Sequence, residues 1–169
     1  KAFQEYYNKI GKKDKISIKA SSDNLNAELE NLSINSKYSD FGSYIYNDVL
    51  YVASSREKAN KRKYNKRLYK WNEHPFLDIY EAVVNRHNNS IVLVPPDKSN
   101  IGNTVNTIAH QASVAITNDG KTMYFSGGTV KNNKLEYNKR GTSTLKLQRA
   151  TLDGSNTWVV TPEDIKAMK

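Results

Sequence analysis

The 169-residue chain contains no cysteine, which removes disulfides, thiolate nucleophiles and cysteine-ligated zinc. Missing disulfides do not decide a compartment, because a folded domain of this size needs none even in the periplasm. No apolar run approaches the ~20 residues of a membrane helix, so a soluble segment is expected. Hydrophobic residues are scarce, at 37% with a mean hydropathy of −0.75, which implies a thin core under a polar surface. Histidine is scarce too: His74, His87 and His110 lie far apart, with no His-x-His or His-x-x-Glu-His spacing, so no metal site is expected. Carboxylates do not pair for acid–base work, and there is no Gly-x-Ser-x-Gly elbow and no phosphate loop. Ser126-Gly127-Gly128 is at most a weak anion nest, since no helix is expected after it. No catalytic residue and no cofactor are expected, and the chain reads as a non-enzyme. It opens on Lys1 with neither Met nor a signal-type apolar stretch, which suggests a processed or internal piece.

What the chain does have is tyrosine and positive charge. Eleven Tyr against four Phe suit half-buried sheet surfaces, where the ring packs and the hydroxyl stays wet. The net charge is +9, and two stretches carry it. Residues 56–70 hold Arg56, Lys58, Lys61, Arg62, Lys63, Lys66, Arg67 and Lys70 against Glu57. Residues 131–140 hold Lys131, Lys134, Lys139 and Arg140 against Glu136. Outside them the chain is close to neutral. Such loops suit phosphate, lipid headgroups or an acidic protein surface, or serve as solvated insertions. No nucleic-acid-binding motif accompanies them, and no nucleic-acid partner is expected.

Along the chain, Phe3, Tyr6, Tyr7 and Ile10 have helical spacing up to Gly11. "KISIK" (15–19) alternates like a short strand, and Ser22 or Asp23 caps a brief helix. From Ile34 onward, short alternating runs separated by Asn, Asp and Gly give an all-β rhythm. The rhythm repeats. Asn35-Ser36 stands 71 residues before Asn106-Thr107, and Asn47-Asp48 stands the same distance before Asn118-Asp119. "VLYVAS" (49–54) then matches "TMYFSG" (122–127), "LDIYEAV" (77–83) matches "LKLQRAT" (145–151), and "VLVPPD" matches "VVTPED". Strands are expected near 43–46, 49–54, 77–84 and 91–94, and again near 113–117, 122–126, 143–150 and 157–161. Four hairpin-joined strands occurring twice in one order suggest β-propeller blades rather than a sandwich. Met123 and Phe125 are expected on one strand face and Tyr124 on the other, both covered by neighbouring blades. Both basic loops join a second strand to a third, so both are expected at one end. His110 is expected to make a structural hydrogen bond, and Trp71, Pro75 and Phe76 to anchor the longer loop. Asp40, Asp78 and Asp119 are expected to bond nearby backbone N–H groups.

"NSKYSDFGSYIYNDVLYVASSR" with "WNEHPFLDIYEA", then "NDGKTMYFSGG" with "GTSTLKLQRATLDG", resembles the TolB-type, WD-repeat-like propeller of Bacteroidota OmpA-family proteins. These are peptidoglycan-associated outer-membrane proteins, including PorE-like members of type IX secretion and gliding motility. The resemblance covers about residues 28–165. It implies a helical or linker segment over 1–27, possibly the end of tetratricopeptide-like repeats. It also implies a partial propeller over 28–169, with blades at about 36–97 and 107–165. The implied role is a non-catalytic scaffold on the periplasmic face of the outer membrane. The implied partners are a PorP/SprF-type β-barrel, associated secretion or motility proteins, and peptidoglycan through a domain outside this segment. An anionic-lipid-binding propeller is the alternative, with a propeller-associated hydrolase a weaker one. Ser43 and Val114 stand where the family often has proline. Gln148 stands where it often has tyrosine, and is expected to alter its blade's surface.

Overall fold

In a computed structural model, which describes residues 31–58 and 68–161, the chain is all-β, with no helix among the described residues. The two short helices and the strand expected before residue 31 lie outside the described residues, as do Lys61, Arg62, Lys63, Lys66 and Arg67. The first sheet runs β1 (Asp40–Tyr46), β2 (Val49–Ser54), β3 (Asp78–Asn85) and β4 (Ser90–Leu93), in that spatial order. The second runs β5 (Gln111–Ile116), β6 (Thr122–Gly128), β9 (Leu145–Leu152) and β10 (Trp158–Val159). A small hairpin of β7 (Val130–Lys131) and β8 (Lys134–Leu135) sits inside the β6–β9 connection. All pairings between these strands are antiparallel.

Turn chemistry explains the hairpins. Asn47 and Asp48 both take positive φ (46° and 60°), the geometry whose twist matches paired strands. In the second sheet, Gly120 N–H closes a turn on the Thr117 carbonyl (2.8 Å), and Asp119 accepts the Lys121 N–H (3.0 Å). β1 and β5 begin earlier than expected because each carries a bulge that lets pairing continue past it. The extra residue brings Gly42 to φ 65° in one strand and Ser113 to φ 49° in the other. These bulges, 71 residues apart, face each other across the sheets.

Pairing registers repeat as well. Phe41↔Ala53 corresponds to Ala112↔Ser126, Ile45↔Leu50 to Ile116↔Met123, and Leu50↔Ala82 to Met123↔Ala150. The entry loops match in detail. Ser36 N–H donates to Asp40 (2.6 Å) as Thr107 N–H donates to Gln111 (3.2 Å). Ser55 N–H donates to the Ser39 carbonyl as Gly128 N–H donates to that of His110.

Between the sheets, Tyr51 and Ile79 pack with Val105, Val114, Ile116, Met123, Phe125, Ala150 and Trp158. The Tyr44 and Tyr46 hydroxyls donate across to the Ile116 and Asn118 carbonyls (3.1 Å each). Burying Phe125 and Met123 completely contributes about 2–3 kcal/mol each. Met123 and Phe125 share the covered face, as expected, while Tyr124 on the other face is half-buried. Ile116, Met123 and Ala150 correspond in register to Ile45, Leu50 and Ala82. Those three lie on the far face of the first sheet, where Leu50, Val52 and Ala82 form a second cluster with Ile34. The sheets therefore stack head to tail: one face of the first meets the opposite face of the second.

Ser126, Gly127 and Gly128 continue β6 instead of forming a nest, with the Gly128 N–H held by His110. Gln148 folds over Gly127, where a Cβ would stand 2.7 Å from its amide nitrogen, and donates to the Gly128 carbonyl (3.3 Å).

Candidate functional site

The two basic loops leave the sheets at one end, and His110 joins them. His110 precedes β5, and its Nδ1 accepts the N–H of Leu77 at the start of β3 (3.1 Å). Its carbonyl accepts the N–H of Gly128 at the end of β6 (2.8 Å). Its ring packs against Phe76 and Tyr69, with centroids at 4.4 and 4.6 Å. Accepting at Nδ1 puts the neutral ring's proton on Nε2, which is buried and unpartnered. Burial, reinforced by the Lys58 charge, pulls the imidazole down to about 4, so the hub is neutral at physiological pH.

The longer loop turns its first cations inward. Arg56 donates to Asp40 (2.9 Å), to the Ile34 carbonyl (2.8 Å) and to Ser54 (2.8 Å), and lies over the Tyr80 ring. Burial pushes the Asp40 carboxyl up, but bonds from Ser54, Ser36 and Arg56 outweigh it and hold the group below its usual range. Lys58 Nζ sits 2.6 Å from Asp78, with side chains only 9% and 7% exposed. Asp78 pairs with this lysine, and Asp40 and Asp119 bond backbone N–H groups as expected. Arg56 and Lys58 fix the loop's base and are not offered to a partner.

Further along, Leu68 bridges to Pro75, and Tyr69 and Phe76 pack on His110. Pro75 is buried and Phe76 half-buried, as the anchoring role requires, but Trp71 remains 48% exposed. Lys70 is exposed beside it. In the shorter loop, Asn132 and Asn133 take positive φ (50° and 57°), closing β7 on β8 and setting Lys131 opposite Lys134. Asn138 Oδ1 accepts the Arg140 and Thr142 N–H groups (2.9 and 3.0 Å), shaping a second turn with Gly141 at φ 72°. Lys131, Lys134, Lys139 and Arg140 are all exposed. Four cations thus stand on two turns, the second braced by the Asn138 side chain.

Exposed Tyr69, Trp71 and Tyr137 share these loops with the cations. Sequence reading singled out the cations and missed the aromatics as surface groups. Their interleaving in "LYKW" (68–71) and "EYNKR" (136–140) was the available signal. Among the described residues, no group of three His, Asp or Glu could hold a metal, and no helix is long and apolar enough to cross a membrane. Comparison with protein-family models, curated proteins and solved structures finds no match.

Proposed function

We propose that the two sheets are consecutive blades of a β-propeller and that the protein is a non-catalytic docking scaffold whose loop end receives an envelope partner. The observation that carries this reading is the set of four exposed cations, Lys131, Lys134, Lys139 and Arg140, on two formed turns of a loop that also exposes Tyr137. Pre-shaped Arg, Trp and Tyr side chains are the usual anchors of protein interfaces, and clustered cations speed encounter with an acidic surface. The resemblance to Bacteroidota OmpA-family propellers supports a periplasmic location and a PorP/SprF-type β-barrel with secretion or motility proteins as partners. Reversing Lys131, Lys134, Lys139 and Arg140 to Glu should abolish co-purification with that barrel while leaving the fold unchanged. Undiminished recovery refutes the assignment. Tyr69, Trp71 and Tyr137 among cations also favour a second reading, docking on anionic lipid headgroups. Flotation with acidic but not with neutral vesicles is its expected signature.

A further inference from the structure

A buried carboxylate of the first sheet stands at the wall of a cleft with one of its oxygens unused. The cleft follows from how the edge of β3 is covered. Asn106 clips that edge: its Oδ1 accepts the Ile79 N–H (2.9 Å) and its Nδ2 donates to the Ile79 carbonyl (2.8 Å). β4 pairs with β3 only from Ala82 onward. Between the clip and β4, a space of about 90 Å³ is bordered by Glu81, Ser99, Asn106, Lys58 and Asp78.

Glu81 is only 3% exposed. Its Oε2 accepts the Ser99 hydroxyl and the Asn100 N–H (2.7 Å each), short bonds of the kind a charged carboxylate makes. Its Oε1 is buried and has no hydrogen-bond partner among the described residues. Among those residues Lys58 is the one Lys, Arg or His that borders the cleft, and it is paired with Asp78. Tyr51 lies opposite Glu81 in register, but burial and then the Glu81 charge push its hydroxyl up to about 12, so it stays neutral. One cation therefore stands against two carboxylates, and a buried charge without a counter-charge is costly. The sheet itself does not require this carboxylate. In the second sheet Tyr124 pairs with Arg149 where Tyr51 here pairs with Glu81.

We propose that this cleft binds a small aliphatic primary amine as its ammonium ion, with Glu81 Oε1 as the charged acceptor. The ammonium supplies both the absent positive charge and N–H donors. Asn106 Oδ1, which spends one lone pair on the Ile79 N–H, keeps a second for the same group. Val94 and Ile101 give the cleft an apolar wall for the methylenes. Its volume is below the about 150 Å³ that takes a benzene ring, which limits the enclosed part to roughly three or four carbons. A divalent metal suits the cleft less well. No group of three His, Asp or Glu is available to it among the described residues, and the Lys58 charge opposes it.

NMR titration of the isotope-labelled chain with n-propylammonium chloride at constant ionic strength tests it. The Asn100 N–H, bonded to Glu81, is the reporter and should show a saturating shift. Potassium and tetramethylammonium carry the charge without N–H donors and should give none. Glu81→Gln keeps the shape, removes the charge and should weaken binding by at least about tenfold. Asn103→Trp, at an exposed position on the cleft's rim, should block entry to the same extent with Glu81 intact, so the test does not depend on the stability of one variant. No saturating shift in the wild-type chain, an equal shift with potassium or tetramethylammonium, or unweakened binding in either folded variant overturns the proposal. None of these outcomes bears on loop-end docking, which charge reversal tests separately.

Discussion

Asn106→Ala removes the clip between the sheets, and its cost follows from what the amide holds. Two hydrogen bonds of 2.9 and 2.8 Å to the backbone of Ile79, a residue only 1% exposed, are lost. At about 1 kcal/mol each, the bonds account for about 2 kcal/mol. Stranding a buried N–H and a buried C=O would add about 1–3 kcal/mol more. A cleft of about 90 Å³, bordered by Asn106, Ile79, Ser99 and Asn103, adjoins the site. It exceeds the roughly 10–15 Å³ that a single water needs. Water can therefore take over the stranded groups, and the expected loss is about 2 kcal/mol rather than 4.

Asn35→Ala is the matched control. Asn35 holds the same place 71 residues earlier but is exposed, so its loss should stay within about 0.5 kcal/mol in the monomer. Urea unfolding at low protein concentration reads both variants, with Trp158, 4% exposed in the inter-sheet core, as the fluorescent reporter. The midpoint should fall for Asn106→Ala with an unchanged slope, since the surface exposed on unfolding is the same. Equal losses at the two positions, or no loss at either, would refute the reasoning.

Lys58→Met removes the buried ion pair to Asp78, which is 7% exposed, and should cost about 3 kcal/mol in the same assay. Lys131→Met, at an exposed position, should cost under about 0.5 kcal/mol; similar values for both would place Lys58 in solvent. His110 stays neutral in the folded chain down to about pH 4, while the unfolded chain takes up a proton near pH 6.5. The unfolded state binds more protons in that window, so stability falls as pH drops through it, by about 1–2 kcal/mol after discounting for partial solvent exposure. His110→Asn should flatten this fall between pH 6.5 and 4, and an unchanged pH profile refutes the assignment. Gly102→Ala drives a Cβ into the Trp158 carbonyl, against which the Gly102 N–H is bonded. It should cost about 2 kcal/mol or more, with amide exchange rising first at Trp158; a neutral result would show that β10 yields freely.

The strands were legible because the forces that set them are local. Alternation in "SYIY" and "SVAI", together with Asn-Asp and Asp-Gly at the turns, fixes hairpin positions without knowledge of the rest of the chain. The early starts of β1 and β5 were not legible. A bulge depends on two strands already lying together, and Ser113 at φ 49° carries no compositional warning. Basic charge was legible as a total, but its use was not. Arg56 and Lys58 differ from Lys131 and Lys134 only in having Asp40 and Asp78 folded beside them, 16 and 20 residues away in sequence. The packing of Tyr69 on His110 was not legible either, since it depends on two segments 41 residues apart coming together.

Comparing equivalent positions separates what builds the sheets from what decorates them. In the first sheet, Asp40, Arg56 and Tyr80 form an ionic cluster around Ser54. At the matching places the second sheet has Gln111, Thr129, Gln148 and Gly127, all uncharged. Gln111 still caps its loop by accepting the Thr107 N–H, and Gln148 still covers β6 by folding over Gly127. The backbone course survives this exchange with the same registers and the same bulge. The ion pairs are therefore one local solution, and the fold itself rests on the alternation, the turns and the apolar stack. The Asn clip belongs with these general features, because it binds only main-chain atoms and needs no particular side chain opposite.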